Sequence, residues 1–333
     1  MTDNGSVNGA SFDADLHMIE GFNAGMRGRK VHQYDGGHRV PFFIRWPDGG
    51  IDAKRDIGKL AANVDFMPTI LDLCGIVPPE NRTFHGVSLT DLIYGRDNPV
   101  FDERIVVTDC QQVAIPVKYR QGCAMKGNWR LVNHKELYDV TEDVGQKNDV
   151  AKLYPEMVLE LQEAYEEWWK LVSQKMYDEI PIPIGGEETL LCAHDLRGIV
   201  ADVVVFQGDV REGKKHLSYF EVEALRDGKY TFELRRWCCQ NGGALTAGIE
   251  TDDIDWNKRD IEPGKERHYT GGVALEIERA FIEIGGQRKF MDIDPDSTSA
   301  VFELELKAGQ HRLKAGFTDK SGGLFCAYYV YVR

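Results

Sequence analysis

Arg27-Gly28-Arg29-Lys30-Val31-His32-Gln33-Tyr34-Asp35-Gly36-Gly37-His38-Arg39-Val40-Pro41-Phe42-Phe43-Ile44-Arg45-Trp46-Pro47 changes texture halfway along. Its first half is basic and broken by Gly36-Gly37, which reads as a turn presenting a lysine. Its second half, Val40 to Trp46, is a short apolar run closed by Pro47-Asp48-Gly49-Gly50. Such a run between turn signals predicts a strand in a sheet covered on both faces. Ahead of both stands Asp3-Asn4-Gly5, which places a carboxylate and an amide oxygen side by side. Oxygen donors of this kind suit Ca²⁺ or Mg²⁺, although an isolated Asn-Gly is first of all a tight turn. Lys30, taken alone, is first of all an ordinary solvated lysine in a basic stretch with Arg27 and Arg29.

Working toward the C-terminus, Asp65 precedes Phe66-Met-Pro-Thr-Ile-Leu-Asp-Leu-Cys74 and Gly75, which predicts an N-capped short helix with a glycine stop. Ser88-Leu-Thr-Asp91 opens another short helix that ends at Gly95, in the manner of a capping box with Asp in place of Glu. From Arg104 to Tyr138, β-rich pieces (Ile105-Val-Val, Gln121-Gly-Cys-Ala-Met, Trp129-Arg-Leu-Val) predict an antiparallel meander. Pro155 to about Tyr177 then carries Met157, Val158, Leu161, Tyr165, Trp168 and Val172 at steps of three and four, a helical stripe that should pack on the meander. The Trp168-Trp169 pair belongs to that core rather than to a sugar platform, because aromatic residues at helical spacing are usually buried.

Pro181-Ile-Pro-Ile-Gly-Gly-Glu-Glu188 reads as a linker. Beyond it strand patterns recur at Val203–Phe206, Tyr219–Ala224, Tyr230–Trp237, Ala274–Ile284, Ala300–Leu306, His311–Phe317 and Phe325–Val332. Val301, Glu303 and Glu305 alternate with Phe302, Leu304 and Leu306, the period of a strand with one wet face. A jelly-roll-like β-sandwich packs such strands.

Composition narrows the function classes. The 333 residues, 42% hydrophobic and 28% charged, suffice for two cores. The net charge of −14 argues against nucleic acid or anionic membrane as the principal partner, so an anionic substrate would need a local positive site. No apolar run reaches membrane-spanning length, and no signal peptide is legible, which leaves the compartment unknown. The seven cysteines include no Cys-x-x-Cys pair, which disfavours zinc and thioredoxin-like chemistry, and Cys238-Cys239 reads as a chance pair in a strand.

The ordered series from Asp3-Asn4-Gly5 through Lys30, Tyr34-Asp-Gly-Gly, Arg39 to Pro47, Asp65 to Gly75 and Phe84-His-Gly-Val-Ser-Leu89, then Trp129-Arg-Leu-Val and Glu136-Leu-Tyr-Asp-Val140, resembles the sulfatase family of the alkaline-phosphatase-like superfamily. The resemblance implies an α/β fold: residues 1–103 as the C-terminal part of the catalytic domain, 104–180 as its antiparallel-sheet and helix subdomain, 181–188 as linker, and 189–333 as an all-β sandwich accessory domain. It implies that Asp3 and Asn4 bind the metal, Ca²⁺ with Mg²⁺ as second choice, and that Lys30 contacts a sulfate oxygen. His38 and Arg39 beside the glycines become candidate substrate contacts. Asp35 stands where the family usually has Glu.

The family's nucleophile, a Cys or Ser in a C-x-P-x-R-like motif matured to formylglycine, has no counterpart among the cysteines here. The expectation is therefore a sulfuric ester hydrolase by family, arylsulfatase-like, acting on a sulfated carbohydrate or aryl sulfate. This chain alone should be inactive and should work with a separate N-terminal sulfatase half, from a parent that is periplasmic or secreted. A non-catalytic glycan-binding module and a phosphoester hydrolase of the same superfamily stand as alternatives.

Overall fold

The computed structural model describes residues 1–6, 9–52, 54–111, 113, 115–198, 207–215, 217–250 and 271–333. The chain divides into two compact units, Met1–Met176 and Tyr177–Arg333.

The first unit opens with a short antiparallel hairpin, β1 (Ala10–Phe12) and β2 (Met18–Gly21). Four short helices follow: α1 (Asp35–His38), α2 (Phe66–Leu73), α3 (Thr90–Ile93) and α4 (Val100–Glu103). The predicted meander then forms as β3 (Ile105–Asp109), β4 (Gly122–Lys126), β5 (Trp129–Val132) and β6 (Glu136–Asp139), paired in that order. Gly127, at φ +49°, opens the two-residue turn between Lys126 and Trp129, a conformation that suits glycine. The long helix α5 (Pro155–Val172) closes the unit.

Strand alternation makes this meander a two-faced layer. Ala124, Leu131 and Leu137 point toward α5, where Leu161 and Tyr165 bury against them with Trp168 and Trp169 alongside. Cys123, Met125, Val132 and Tyr138 point the other way and pack on Tyr34. Successive residues of β4 are buried because each face has its own cover. The second face holds the Arg27–Arg39 segment in place.

Two expectations for this unit are corrected. Val40 to Ile44 forms no strand, and Trp46 makes only an isolated bridge to Ile51. Phe43 is 84% exposed, and no sheet among the described residues includes this run. Asp65 does not cap α2 through its side chain. It is fully buried instead, bonded by both oxygens to Arg104 (2.8 and 2.9 Å) and accepting the N–H groups of Ala62 and Val87. A carboxylate with two backbone donors and a bidentate guanidinium ties three loop segments together, which a local capping pattern could not announce.

The second unit contains β7 (Ile182–Ile184), β8 (Thr189–Cys192), α6 (Gln207–Glu212), β9 (Phe220–Ala224), β10 (Gly228–Arg235), β11 (Ile277–Ile284), β12 (Gln287–Asp292), β13 (Ala300–Leu306), β14 (Gly309–Asp319), β15 (Leu324–Cys326) and β16 (Tyr329–Val332). One sheet has the order β13-β10-β16-β8, the other β12-β11-β14-β9-β7 with β15 paired to β14. Phe232, Leu234, Phe302 and Val330 from the first sheet share one core with Phe220, Val222, Ile282, Leu313 and Phe317 from the second. The alternation in β13 holds residue by residue, with Phe302, Leu304 and Leu306 buried and Val301, Glu303 and Glu305 exposed.

The stretch read as a linker is partly a strand. Ile182–Ile184 pairs in parallel with β9 and buries Ile184 completely, with Pro183 inside the strand opposite Glu223 and Pro181 just before it. The strand expected at Val203–Phe206 lies outside the described residues. Cys238-Cys239 follows the end of β10 and enters a turn closed by Asn241 N–H on Cys238 C=O at 3.0 Å, not a strand.

Candidate functional site

The two motifs that opened the sequence reading are brought together by main-chain hydrogen bonds. Gly5 N–H donates to Gly37 C=O at 2.9 Å, and Lys30 N–H donates to Ser6 C=O at 3.0 Å. The strip around Gly5 and Ser6 thus spans from α1 to the lysine, with Asp3 and Asn4 at its end. Glycine is required by proximity here. A Cβ on Gly5 would fall 1.8 Å from Gly36 C=O, one on Gly36 2.2 Å from Gly28 C=O, and one on Gly37 2.0 Å from His32 C=O. Gly36 and Gly37 are therefore not the turn the sequence suggested. They lie within α1, where the missing side chains let three backbone segments touch.

A buried ion pair fixes the platform. Asp35 is 1% exposed and accepts Arg130 Nε at 2.9 Å, while its own N–H donates to Gln146 Oε1 at 2.8 Å. Arg130 also donates through Nη1 to the carbonyls of Gly127 and Trp129. Arg27 lies 3.9 Å from the Tyr34 ring centroid and donates to Tyr138 Oη and the Gln146 carbonyl. Tyr34 and Tyr138 both donate to Glu136 Oε2, at 3.2 and 2.8 Å. Burial, reinforced by the Glu136 charge and opposed by Arg27, pushes the Tyr34 phenol up to about 12.

The candidate side chains sit on this frame as follows. Asp3 and Lys30 are exposed and Asn4 is half-buried. Asn4 Nδ2 donates to Asp3 Oδ2 at 2.8 Å. His38 turns inward, its Nε2 3.2 Å from Gln33 C=O and 4.0 Å from Asp35 Oδ1. Burial, with help from the Arg130 charge and against Asp35, lowers its pKa and favours the neutral ring. Arg39 stays exposed and reaches back to Asp35 Oδ2 at 3.5 Å. An exposed ammonium held by its own backbone can meet an anionic oxygen.

Asp3 and Asn4 offer neighbouring oxygens, whereas Ca²⁺ takes six to eight. Among the described residues no group of three or more His, Cys, Asp or Glu side chains is arranged to hold a metal ion. The pair does not by itself fit a Ca²⁺ site.

Asp3, Asn4 and Lys30 are the candidates that the sequence offers; the roles of Arg27, Arg130, Glu136 and Gln146 in the platform were not legible there. Trp129-Arg-Leu-Val and Glu136-Leu-Tyr-Asp stood out as blocks, yet nothing local tied Arg130 to a carboxylate 95 positions earlier.

Residues 29–171 match the family described as N-sulphoglucosamine sulphohydrolase, C-terminal. The chain is 27% identical over 159 residues to an N-acetylgalactosamine-6-O-sulfatase of Bacteroides thetaiotaomicron, covering 42% of this chain and 29% of that protein. It is 37% identical over 76 residues to the human steryl-sulfatase, covering 23% of this chain and 13% of the relative. It is also 35% identical over 67 residues to rat arylsulfatase G, covering 20% and 12%. These matches support a sulfatase C-terminal portion in this chain, which spans less than a third of the length of these relatives. Among solved structures, the family 35 carbohydrate binding module of Cellvibrio japonicus Abf62 aligns over 44% of this chain and 93% of its own, at 10% identity and a TM-score of 0.23, a likeness too slight to bear on ligand.

Proposed function

We propose that this chain is the C-terminal portion of a sulfatase of alkaline-phosphatase-like architecture, and that Asp3, Asn4 and Lys30 are its share of a sulfate-ester site. The observation that supports this reading is the pair of backbone bonds, Gly5 to Gly37 and Lys30 to Ser6, which tie the main chain just after Asp3-Asn4 to that of α1 and Lys30. Lys30 would contact a nonbridging sulfate oxygen and offset charge that grows as the ester bond breaks. Asp3 and Asn4 would give two oxygens to a Ca²⁺ shell completed by polypeptide outside this chain. The attacking group, a hydrated formylglycine, would come from that same polypeptide, and residues 189–333 would form an accessory β-sandwich.

The chain alone should not hydrolyse 4-nitrophenyl sulfate, with or without Ca²⁺. Joined by a sulfatase segment that carries the C-x-P-x-R-like motif, it should hydrolyse the sulfate ester in preference to 4-nitrophenyl phosphate, with Lys30→Ala lowering kcat/KM by about 100-fold, the scale of one lost charge-stabilising donor. Turnover by the chain alone, or an unchanged rate with Lys30→Ala, would overturn the reading. A second reading, a glycan-contacting module, draws on Phe290 of β12, which is 42% exposed and flanked by Arg279 and Arg288 at 4.7 and 5.0 Å. Silence of the chain on a glycan array would dismiss it.

A further inference from the structure

The turn that carries Lys30 carries a second cation. Arg29 and Lys30 are both exposed, and among the described residues neither the Arg29 guanidinium nor the Lys30 ammonium has a hydrogen-bond or ion-pair partner. The neighbouring arginines differ: Arg27 is bonded to the Asp15 carbonyl, Tyr138 and the Gln146 carbonyl, and Arg39 reaches Asp35. In a chain of net charge −14, two adjacent cations without a carboxylate make a local positive site of the kind an anionic ligand needs. The turn is fixed through its backbone, not through these two side chains. Arg29 N–H donates to His32 Nδ1 at 3.2 Å, His32 N–H donates to Arg29 C=O at 3.0 Å, and Lys30 N–H donates to Ser6 C=O at 3.0 Å. Between them Val31 stands at φ +71°, rare for a β-branched residue, with Cys110 Sγ donating to its carbonyl at 3.4 Å. Such a conformation persists only where surrounding contacts impose it. The Arg29 guanidinium lies 5.8 Å from the ring centroid of half-buried Phe12 on β1, so it rests beside an aromatic ring instead of moving freely in water.

We infer that Arg29, backed by Phe12, is a second anion subsite beside Lys30, taking a carboxylate or a second sulfate on the same substrate molecule whose first sulfate meets Lys30. The inference rests on the sulfatase reading above and names a feature of its substrate: two anionic groups on one sugar ring or on adjacent rings. Consecutive Cα atoms are about 3.8 Å apart, so two long side chains that start side by side can serve two groups of one small ligand. The planar guanidinium can meet either oxyanion through two parallel N–H bonds, which an ammonium cannot do. Lys30 suits a single sulfate oxygen, whereas Arg29 suits a flat carboxylate or two oxygens of a sulfate.

The test titrates the whole chain, followed by NMR, with galactose 6-sulfate, with galactose 3,6-disulfate, and with a disaccharide of glucuronate joined to galactose 6-sulfate. At least one doubly anionic probe should bind about tenfold more tightly than the monosulfate, the scale of one added charge-assisted hydrogen bond. The one that does so identifies the second group as sulfate or carboxylate. Arg29→Gln should abolish the preference and leave monosulfate binding unchanged, and Arg29→Lys should restore only part of it, because the charge returns without the fork. Lys30→Ala should weaken all three probes. Arg120→Gln, at an exposed arginine elsewhere in the same unit, should change nothing. Equal binding of the three probes, no binding of any, a preference that survives Arg29→Gln, or an equal loss with Arg120→Gln would each overturn the subsite. The two readings fail separately. Monosulfate binding that ignores Lys30→Ala refutes the sulfate contact of the proposed function, while a preference that vanishes with Arg29→Gln keeps the anion subsite. Monosulfate binding that needs Lys30, with no preference for a second anion, does the reverse.

Discussion

Replacing Asp35 by Asn removes one charge from the platform beneath the site while keeping its size. Arg130, 8% exposed at the side chain, would then hold its cation in the protein without a carboxylate. Breaking a buried pair in this way costs roughly 3–5 kcal/mol. Arg130 keeps its bonds to the Gly127 and Trp129 carbonyls, and the new amide oxygen can still accept from Nε, so the lower end, about 3 kcal/mol, applies. In a unit of this size each kcal/mol moves the melting temperature by about 2–4 °C, which predicts a fall of roughly 6–12 °C in the first unit's transition. Calorimetry of the full chain measures it, with exchange at residues 122–139 assigning the transition. Arg130→Met should be similarly damaging, and the double variant should lose at least 1 kcal/mol less than the sum, as coupled neighbours do. A loss under about 1 kcal/mol for Asp35→Asn, or strict additivity, would refute the claim that this pair holds the platform.

Gly5→Ala should detach the N-terminal strip, because its Cβ would lie 1.8 Å from a carbonyl oxygen that the surrounding backbone fixes. Exchange at Gly5 and Lys30 N–H should rise at least tenfold with little change elsewhere. Burial pushes the Tyr34 phenol up to about 12 from its ordinary value near 10, so the folded state favours the neutral form. Its contribution is complete below pH 10 and is lost as pH rises through 12, since the unfolded chain ionises first. Stability of the first unit should therefore fall across pH 10–12, and Tyr34→Phe should flatten that slope when followed by chemical denaturation. In the second unit, Arg236 is fully buried, stacks on Trp237 and donates to the carbonyls of Arg211, Ala247 and Val273. Arg236→Ala should destabilise that unit by about 3 kcal/mol or more, because it strands buried carbonyls and opens a cavity.

Legibility followed the range of the interaction concerned. The meander, α5 and most strands of the second unit could be read from periodicity, because each buries one regular face. Short pieces escaped: β7 lay in a stretch rich in proline and glycine, and β12 has almost every residue exposed, so neither carried a pattern. The run at 40–46 carried the pattern of a buried strand but forms none, because a strand needs neighbours and a sequence pattern states only the need.

At the site, the sequence by itself determined which groups exist: an Asp-Asn pair, a lysine and adjacent glycines. It also set the local periods that shape the elements around them. Only the tertiary structure decided that Gly36 and Gly37 serve close backbone approach rather than a turn. The same holds for Asp65 as an anchor rather than a cap, and for Asp35 as the partner of Arg130 from another part of the unit. The reason is physical. Helical and strand periods are set by neighbours a few residues away, whereas a buried charge is held by whichever groups the fold carries to it.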